Sequence, residues 1–223
     1  GEVNFEMIPR LVDHLARNEV AGMYICGSTG EGPSLTMDER TAVGEAYVKA
    51  NRGRLRTIVH VGHTCLADSQ KLAEHATSIG ADAISAIAPY YFKPDSVATL
   101  IAYFRTVAAC APELPFYYYH IPALTGLVVD PVTFLEQASD AIPNLRGLKF
   151  TDTDLSLFNA CQDAGNGRFD VLFGRDEMLL SSLAAGANGA VGNTYNYAPE
   201  LYMKVIRAFR AGNMEDAREW QRI

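Results

Sequence analysis

The chain has 223 residues, of which 48% are hydrophobic and 20% are charged, and its formal net charge is −7 at pH 7. This is an ordinary globular composition, and the length suits one domain with a single sizeable core. The sequence has no cluster of Lys and Arg, which argues against nucleic-acid binding, and no apolar run long enough to span a membrane.

Short apolar runs alternate along the chain with longer amphipathic runs, which predicts strands alternating with helices. The apolar runs lack polar alternation, as is typical of strands in a parallel sheet that is covered on both faces. The predicted strands are 22–27, 55–62, 82–88, 115–121, 145–150, 169–173 and 188–191. The predicted helices are 5–18, 36–50, 67–79, 96–110, 131–139, 153–162, 177–185 and 199–210, with another beginning near Met214.

Two architectures use such repeated units, a closed (β/α)8 TIM barrel and an open doubly wound sheet. The regular repeat favours the α/β class with a (β/α)8 barrel, in one domain over residues 1–223. Seven strands are one too few for this barrel. We therefore expect that the first strand precedes Gly1, that the last helical residues are missing, and that the chain is a fragment of a longer protein.

Local signals agree with these elements. Thr36 and Glu39 have the spacing of a capping box at a helix start, and Gly80 and Gly186 each follow a predicted helix end. The four cysteines are irregularly spaced and include no C-x-x-C pair, so we expect reduced thiols and a cytoplasmic protein. They are Cys26, Cys65, Cys110 and Cys161.

Active sites of such barrels lie at the C-terminal ends of the strands. After the first predicted strand, Ser28 and Thr29 stand between two glycines. Backbone N–H and side-chain O–H groups in such a loop can hold a carboxylate or a phosphate. A plain tight turn has the same composition, so both interpretations stay open at this point.

The strand 115–121 contains three consecutive tyrosines. Alternation sends Tyr117 and Tyr119 to one face, and Tyr118 and His120 to the other. Most tyrosines in such a run are packing residues. Tyr119 is the nearest on its face to the C-terminal mouth, where its hydroxyl could relay protons.

A lysine within the apolar strand 145–150 is unusual, because burying an ammonium group is costly. Lys149 could extend to the rim or pair with a carboxylate. Alternatively, desolvation lowers the pKa of its amine, which then attacks a carbonyl carbon.

Polar residues also follow the last two predicted strands. Asp176 and Glu177 begin a helix, where carboxylates often only cap the helix, although at a barrel mouth they can also bind a polyol. Asn193 lies in the loop after the last strand. His60 and His63 are three residues apart, which puts them on opposite faces of a strand and argues against a metal site.

The chain resembles the N-acetylneuraminate lyase and dihydrodipicolinate synthase superfamily of class I aldolases in three motifs that occur in the same order. These are GSTGE at 27–31, YHIPALTG at 119–126 and GLK at 147–149. As a set they are specific, whereas each alone is weak. The similarity runs along the whole chain, and 114–155 looks closest to the lyase branch.

The resemblance implies a Schiff-base mechanism on Lys149, with Tyr119 as the proton-shuttling tyrosine and with Ser28 and Thr29 holding the pyruvate carboxylate. It also implies that a further group of residues binds the sugar. This group is Thr151, Gly174, Asp176, Glu177 and Asn193, the last standing where the lyases have a serine.

The lyase branch implies reversible cleavage of the sialic acid N-acetylneuraminate to pyruvate and N-acetyl-D-mannosamine. No metal and no cofactor other than the covalent imine on Lys149 is expected. Small-molecule substrates are the expected partners, with neither nucleic acid nor a membrane. Tyr91 resembles an aromatic residue that reaches a neighbouring active site across a subunit interface, so the resemblance implies a homo-oligomer, commonly a tetramer in such relatives.

Three alternatives stay open. Dihydrodipicolinate synthase typically has an arginine two residues after the proline of the second motif, and Leu124 stands there in this chain, which disfavours that activity. Other pyruvate-dependent aldolases acting on 2-keto-3-deoxy sugar acids form the second alternative. A non-catalytic sugar-acid sensor on the same scaffold is the third, although such a sensor would be expected to lose one of the catalytic elements.

Overall fold

The computed structural model of the protein describes residues 2–223, and these contain one parallel sheet of six strands. Each strand pairs with the next in chain order. The strands are β1 (Gly22–Ile25), β2 (Arg56–His60), β3 (Ala83–Ile87), β4 (Phe116–His120), β5 (Leu145–Phe150) and β6 (Asp170–Phe173).

Helices connect and cover the strands. They are α1 (Met7–Arg17), α2 (Met37–Asn51), α3 (Leu66–Ser78), α4 (Val97–Ala108), α5 (Pro122–Thr125), α6 (Pro131–Ala138), α7 (Leu155–Gly167), α8 (Leu179–Ala184), α9 (Pro199–Arg210) and α10 (Met214–Arg222). Short 3₁₀ turns occur at Gly32–Ser34, Asp176–Met178 and Thr194–Asn196. None of the helices within residues 2–223 is both long and apolar enough to cross a lipid bilayer.

The order of the strands distinguishes the two architectures. A doubly wound sheet reverses its strand order at a switch point, whereas a (β/α)8 barrel adds each strand beside the previous one. The observed order, β1 to β6 without reversal, is that of the barrel. The predicted fold class is therefore confirmed.

The two faces of the sheet bury different residues. Between the sheet and the helices lies the main core, which contains the fully buried rings of Phe104, Phe116, Phe134, Phe150 and Phe158. The concave face has a smaller apolar group in which Tyr24 packs against Ile87, Tyr119 and Ile121. Burial of the aromatic rings on the outer face fixes which side chains point inward.

Local signals read from the sequence are present in the structure. Thr36 caps α2, and Thr36 and Glu39 form both hydrogen bonds of the capping box. Gly80 and Gly186 follow α3 and α8 with φ values of 79° and 89°, a conformation that glycine adopts without a steric penalty.

The seventh predicted strand, 188–191, forms a single bridge between Ala190 and Phe173 rather than a regular strand. Its direction is as predicted, because Phe173 N–H donates to Gly189 and Val191 N–H donates to Phe173. Only one side of this segment has a strand to pair with among the described residues, and glycines at 189 and 192 weaken extended structure. Regular pairing therefore ends at β6.

Candidate active site

Lys149 and Tyr119 face each other on adjacent strands at the C-terminal end of the sheet. Tyr119 of β4 pairs in register with Lys149 of β5 and, on its other side, with Ile87 of β3. The Lys149 side chain points into the concave face, and the residue is 7% exposed. Its Nζ atom lies 3.9 Å from the ring centroid of Tyr119 and 4.7 Å from that of Tyr24.

Burial lowers the pKa of the Lys149 amine, whereas the nearby Tyr119 phenol and Asp176 carboxylate partly oppose this shift. Desolvation penalises the charged ammonium more than the neutral amine. A larger fraction of Lys149 is therefore the free base at neutral pH than in an ordinary lysine. The free amine is the form that can attack a carbonyl carbon.

The loop after β1 brings a hydroxyl group to Tyr119. Ser28 Oγ lies 3.3 Å from the Tyr119 hydroxyl oxygen. The loop folds back on itself because Glu31 N–H donates to the Ser28 carbonyl and Gly32 N–H donates to the Gly27 carbonyl. Thr29, the other predicted hydroxyl, is exposed in this loop.

Tyr24, which sequence reasoning did not select, forms the second wall around the lysine. Its ring meets the Tyr119 ring edge to face at a centroid distance of 5.7 Å. The Tyr24 hydroxyl donates to Ser85 Oγ at 2.8 Å. The sequence contained one signal for Tyr24. Residues at even spacings share a face of a strand, and Tyr24 lies in an apolar strand four residues before Ser28.

A buried arginine lies behind this wall. Arg40 of α2 donates to the backbone carbonyls of His60 and Gly62, at 2.6 and 3.0 Å, rather than to a carboxylate. The His60 ring in turn contacts Tyr24 and Tyr119, with centroid distances of 6.0 and 5.8 Å. Burial, together with the charges of Arg40 and Lys149, holds the pKa of His60 well below its usual value, so the imidazole is neutral.

Thr151 and Gly174 meet where β5 and β6 end. Gly174 N–H donates to the Phe150 carbonyl at 2.7 Å. A Cβ atom at position 174 would lie 2.0 Å from Thr151 Oγ1 and 2.9 Å from the Phe150 carbonyl oxygen. Only glycine therefore fits there, and Thr151 Oγ1 is buried with no hydrogen-bond partner among the described residues. Such an oxygen is available to a bound polar molecule.

Asp176 is buried and supports the segment after the Ala190 bridge. Its carboxylate accepts from the Thr194 N–H and the Thr194 hydroxyl, both at 2.5 Å. The side chain of Gln221, on α10, donates to the Asp176 backbone carbonyl and accepts from Leu180 N–H. The outer helix α10 therefore supports the turn that carries Asp176.

The remaining predicted residues lie at the solvent-facing rim. Glu177 is exposed and pairs with Arg175 at 2.8 Å, which lowers the pKa of the Glu177 carboxyl. Asn193 is also exposed. Leu124 is 63% exposed on α5, and Tyr91 is 77% exposed in the loop after β3.

The two histidines considered for a metal site, His60 and His63, lie in different environments. His60 is buried on the concave face, whereas His63 lies in the loop before α3. His63, Cys65 and Asp68 have ligand-type atoms within 4.8 Å of one another. The Nδ1 atom of His63 already accepts a hydrogen bond from the Cys65 N–H at 2.9 Å. This contact stabilises the turn immediately before α3.

The arrangement combines a buried amine, a phenol bonded to a serine hydroxyl, and a polar rim. The amine can form an imine with a keto acid, and the hydroxyl pair can move a proton beside it. Three of the predicted residues, Lys149, Tyr119 and Ser28, are brought together, and Asp176 is near enough to influence the lysine electrostatically.

Comparison with known proteins gives consistent matches along the chain. A sequence model described as the dihydrodipicolinate synthetase family matches residues 1–223. N-acetylneuraminate lyase of Rattus norvegicus is 46% identical over 224 residues, which covers 99% of this chain and 70% of the relative.

Two solved structures are similar throughout the described fold. Proteus mirabilis N-acetylneuraminate lyase has a TM-score of 0.97 and 41% identity, over 99% of this chain and 75% of that chain. A catalytic lysine mutant of Ruminococcus gnavus sialic acid aldolase has a TM-score of 0.94 and 32% identity, over 99% and 72% of the two chains.

Proposed function

The chain belongs to the dihydrodipicolinate synthetase family, and on that premise we propose that it is a class I aldolase that cleaves N-acetylneuraminate reversibly to pyruvate and N-acetyl-D-mannosamine. One observation carries the proposal. The Lys149 amine is buried beside Tyr119, whose hydroxyl lies 3.3 Å from that of Ser28. Leu124 in place of an arginine disfavours the dihydrodipicolinate synthase reaction.

The reaction begins with the free amine of Lys149. Its nitrogen lone pair attacks C2 of the open-chain sugar acid, the carbonyl oxygen leaves as water, and one proton is taken up. The product is a protonated imine, which is an electron sink. The covalent imine supplies the electrophile, so the proposed mechanism uses no metal and no separate cofactor.

Cleavage then requires a proton to leave the C4 hydroxyl. Tyr119 relays this proton, with Ser28, Thr29 and the carboxylate of the substrate beside it. As the C4 oxygen forms a carbonyl, the C3–C4 bond breaks and its electron pair moves toward the imine nitrogen, which gives an enamine. Protonation at C3 and hydrolysis of the imine release pyruvate and regenerate the amine.

We assign the substrate carboxylate to the loop containing Ser28 and Thr29, and the polyol chain to the residues at the ends of β5 and β6. The unpartnered Thr151 Oγ1, which lies close against Gly174 where β5 and β6 end, supports this assignment. The proposed polyol-binding residues are Thr151, Gly174, Asp176, Glu177 and Asn193. Asp176 acts through its carboxylate oxygen that does not bind Thr194, and the exposed Glu177 and Asn193 act at the rim.

We also propose a homo-oligomer, a tetramer by likeness to the family, in which Tyr91 extends to a neighbouring subunit. The exposure of Tyr91 and Phe92, whose rings pack against each other at 5.0 Å, supports this assignment. The four free cysteines, two of them buried, suit a reducing compartment such as the cytoplasm.

Borohydride trapping tests the proposed function. The protein is treated with borohydride in the presence of pyruvate, and separately with N-acetylneuraminate, and the modified peptide is identified by mass spectrometry. Reduction of an imine would leave a stable adduct on Lys149. Lys204, an exposed lysine whose Nζ atom lies over the Trp220 ring, is the internal control, because it lies outside the pocket of Lys149.

Release of N-acetyl-D-mannosamine from N-acetylneuraminate is measured on the same preparation. An adduct with both compounds together with product release supports the lyase. Trapping with pyruvate but no release from N-acetylneuraminate would instead support an aldolase for another sugar acid, and no adduct would support the sensor.

A further inference from the structure

We propose that Tyr24 is a further catalytic residue, and that its ring face, together with that of Tyr119, stabilises the positive charge of the imine on Lys149. This inference rests on the proposed function and deepens it. It assigns to the aromatic ring of Tyr24 a role separate from the proton relay of Tyr119.

The position of the lysine nitrogen is the first argument. Nζ lies over two aromatic rings, 3.9 Å from the centroid of Tyr119 and 4.7 Å from that of Tyr24. Both distances are within the range of a cation–π contact, in which a cation is attracted to the negative face of a ring. The two rings meet edge to face, so they form two walls of a pocket around the nitrogen.

The chemistry gives these walls a purpose. The resting amine must be neutral to attack, whereas the imine must stay protonated to accept electrons from the C3–C4 bond. A full negative charge beside Nζ would serve the imine but would also raise the pKa of the resting amine. The carboxylate of Asp176 is turned to Thr194. Aromatic faces provide a weaker attraction that helps the cation without a fixed charge.

The direction of the Tyr24 hydroxyl separates its role from that of Tyr119. It donates to Ser85 Oγ at 2.8 Å. Ser85 pairs with Tyr117, whereas Lys149 pairs with Tyr119. Ser85 therefore lies two residues further than Lys149 from the C-terminal end of the sheet. The hydroxyl therefore points away from the mouth, and the ring face is left for Nζ. Burial also raises the pKa of the Tyr24 phenol, which keeps it protonated.

Ser85 is then a positioning residue that acts through Tyr24. Its hydroxyl fixes the ring from below, while the neutral imidazole of His60 packs beside it at a centroid distance of 6.0 Å. Two strands, β2 and β3, thus contribute one side chain each to hold the Tyr24 ring beside Lys149.

The test replaces Tyr24 by phenylalanine and by phenylalanines that carry one, two and three ring fluorines, in the full chain. Fluorine withdraws electron density from the ring face with little change in shape. Tyr24→Phe loses the hydrogen bond to Ser85 but keeps the ring face, so its kcat is the reference value for the fluorinated series. Along the fluorinated series, kcat for N-acetylneuraminate should fall progressively, by about 10- to 30-fold in total.

Tyr103 provides the matched control. Its hydroxyl lies 3.0 Å from that of a serine, Ser69, just as Tyr24 bonds to Ser85, but no cation lies over its ring in the part of the chain that the structure describes. The same fluorinated series at position 103 should leave kcat without a trend. The fraction of Lys149 trapped by borohydride at a fixed pyruvate concentration is the second readout, and it should fall with fluorination only at position 24.

A progressive fall at position 24 alone supports the inference. If kcat stays constant along the series at 24, or falls equally at 24 and 103, the ring acts only by its shape and the inference is wrong. Failure of the proposed function itself has a different signature, because the unmodified protein would then form no adduct with pyruvate at all.

Discussion

Tyr119 and Lys149 are directly paired across β4 and β5, and the Lys149 Nζ atom lies 3.9 Å from the Tyr119 ring centroid. Strand register therefore fixes the distance between the proposed nucleophile and the proposed proton relay. A shift of either strand by one residue would turn one of the two side chains to the outer face. The outer core, with Tyr118 and Phe150 buried against the helices, opposes such a shift.

Replacement of the nucleophile should remove activity. In Lys149→Ala, no amine remains in the pocket, and we expect no detectable release of N-acetyl-D-mannosamine from N-acetylneuraminate, measured in a coupled assay. Lys204→Ala, which removes an exposed amine, should keep the original rate. Turnover and trapping in Lys149→Ala equal to those of the unmodified protein would contradict the assignment.

Removal of one hydroxyl should separate imine formation from cleavage. Tyr119→Phe keeps the ring beside Nζ but removes the group that lies 3.3 Å from Ser28 Oγ. We expect borohydride trapping with pyruvate to remain, whereas kcat for cleavage falls by about 10²- to 10⁴-fold, the usual contribution of a positioned acid–base group. An equal loss of trapping and of cleavage in Tyr119→Phe would indicate that Tyr119 maintains the shape of the pocket rather than transferring the proton.

A positive charge at the α5 position should weaken sugar-acid cleavage. In Leu124→Arg the new guanidinium enters a position that is 63% exposed at the mouth, where it can attract a second anion rather than the uncharged polyol chain. We expect a lower kcat/KM for N-acetylneuraminate. Val128→Arg, at a fully exposed position in the same connection, is the control, and identical kinetics in both variants would argue against this description of the mouth.

Acid should destabilise the protein through His120 on the outer face. Its ring stacks on Phe150 at 5.5 Å, and its Nδ1 atom lies 3.2 Å from the Tyr118 hydroxyl. Burial lowers the pKa of His120 to about 4, despite the opposing charges of Asp152 and Asp130. In the unfolded chain the pKa of His120 is near 6.5, so between pH 4 and pH 6.5 the unfolded chain binds more protons than the folded one. The contribution of the neutral imidazole to stability is therefore lost as the pH falls from about 6.5 to 4.

The loss amounts to about 3 kcal/mol between pH 7 and pH 4. Urea unfolding of the unmodified protein and of His120→Asn at both pH values measures it. The variant should lose about 3 kcal/mol less of its unfolding free energy over this interval. Parallel losses in the two proteins would mean that His120 is protonated in the folded state already.

The architecture could be predicted from the sequence because strands and helices repeat regularly along the chain. The period of two in a strand predicts that Tyr118 and Tyr119 lie on opposite faces, but it does not specify the register that pairs Tyr119 with Lys149. The structure has Tyr119 in the apolar group of the concave face and Tyr118 in the main core, so the predicted separation of these two side chains is confirmed. Boundaries of strands shift by one or two residues where loops replace the expected ends. The segment 188–191 shows the limit, since its composition indicates extended backbone but not the partner that a strand requires.

Contacts between distant segments could not be predicted. Tyr24 and Ser85 are 61 residues apart, and nothing in either strand alone specifies their hydrogen bond. Asp176 resembles a rim carboxylate in the sequence, yet its side chain turns inward to Thr194, because the Thr194 N–H and hydroxyl lie within its reach. The direction of a side chain in a polar loop depends on donors that only tertiary packing brings there.

Gln221 couples the outer helix α10 to the residues at the mouth of the barrel. Its amide joins α10 to Leu180 and to the backbone of Asp176. Random substitutions in α10 should therefore appear among variants selected for altered sugar preference, although they touch no substrate. Libraries for redesign of this enzyme should include that remote helix as well as the residues around the polyol.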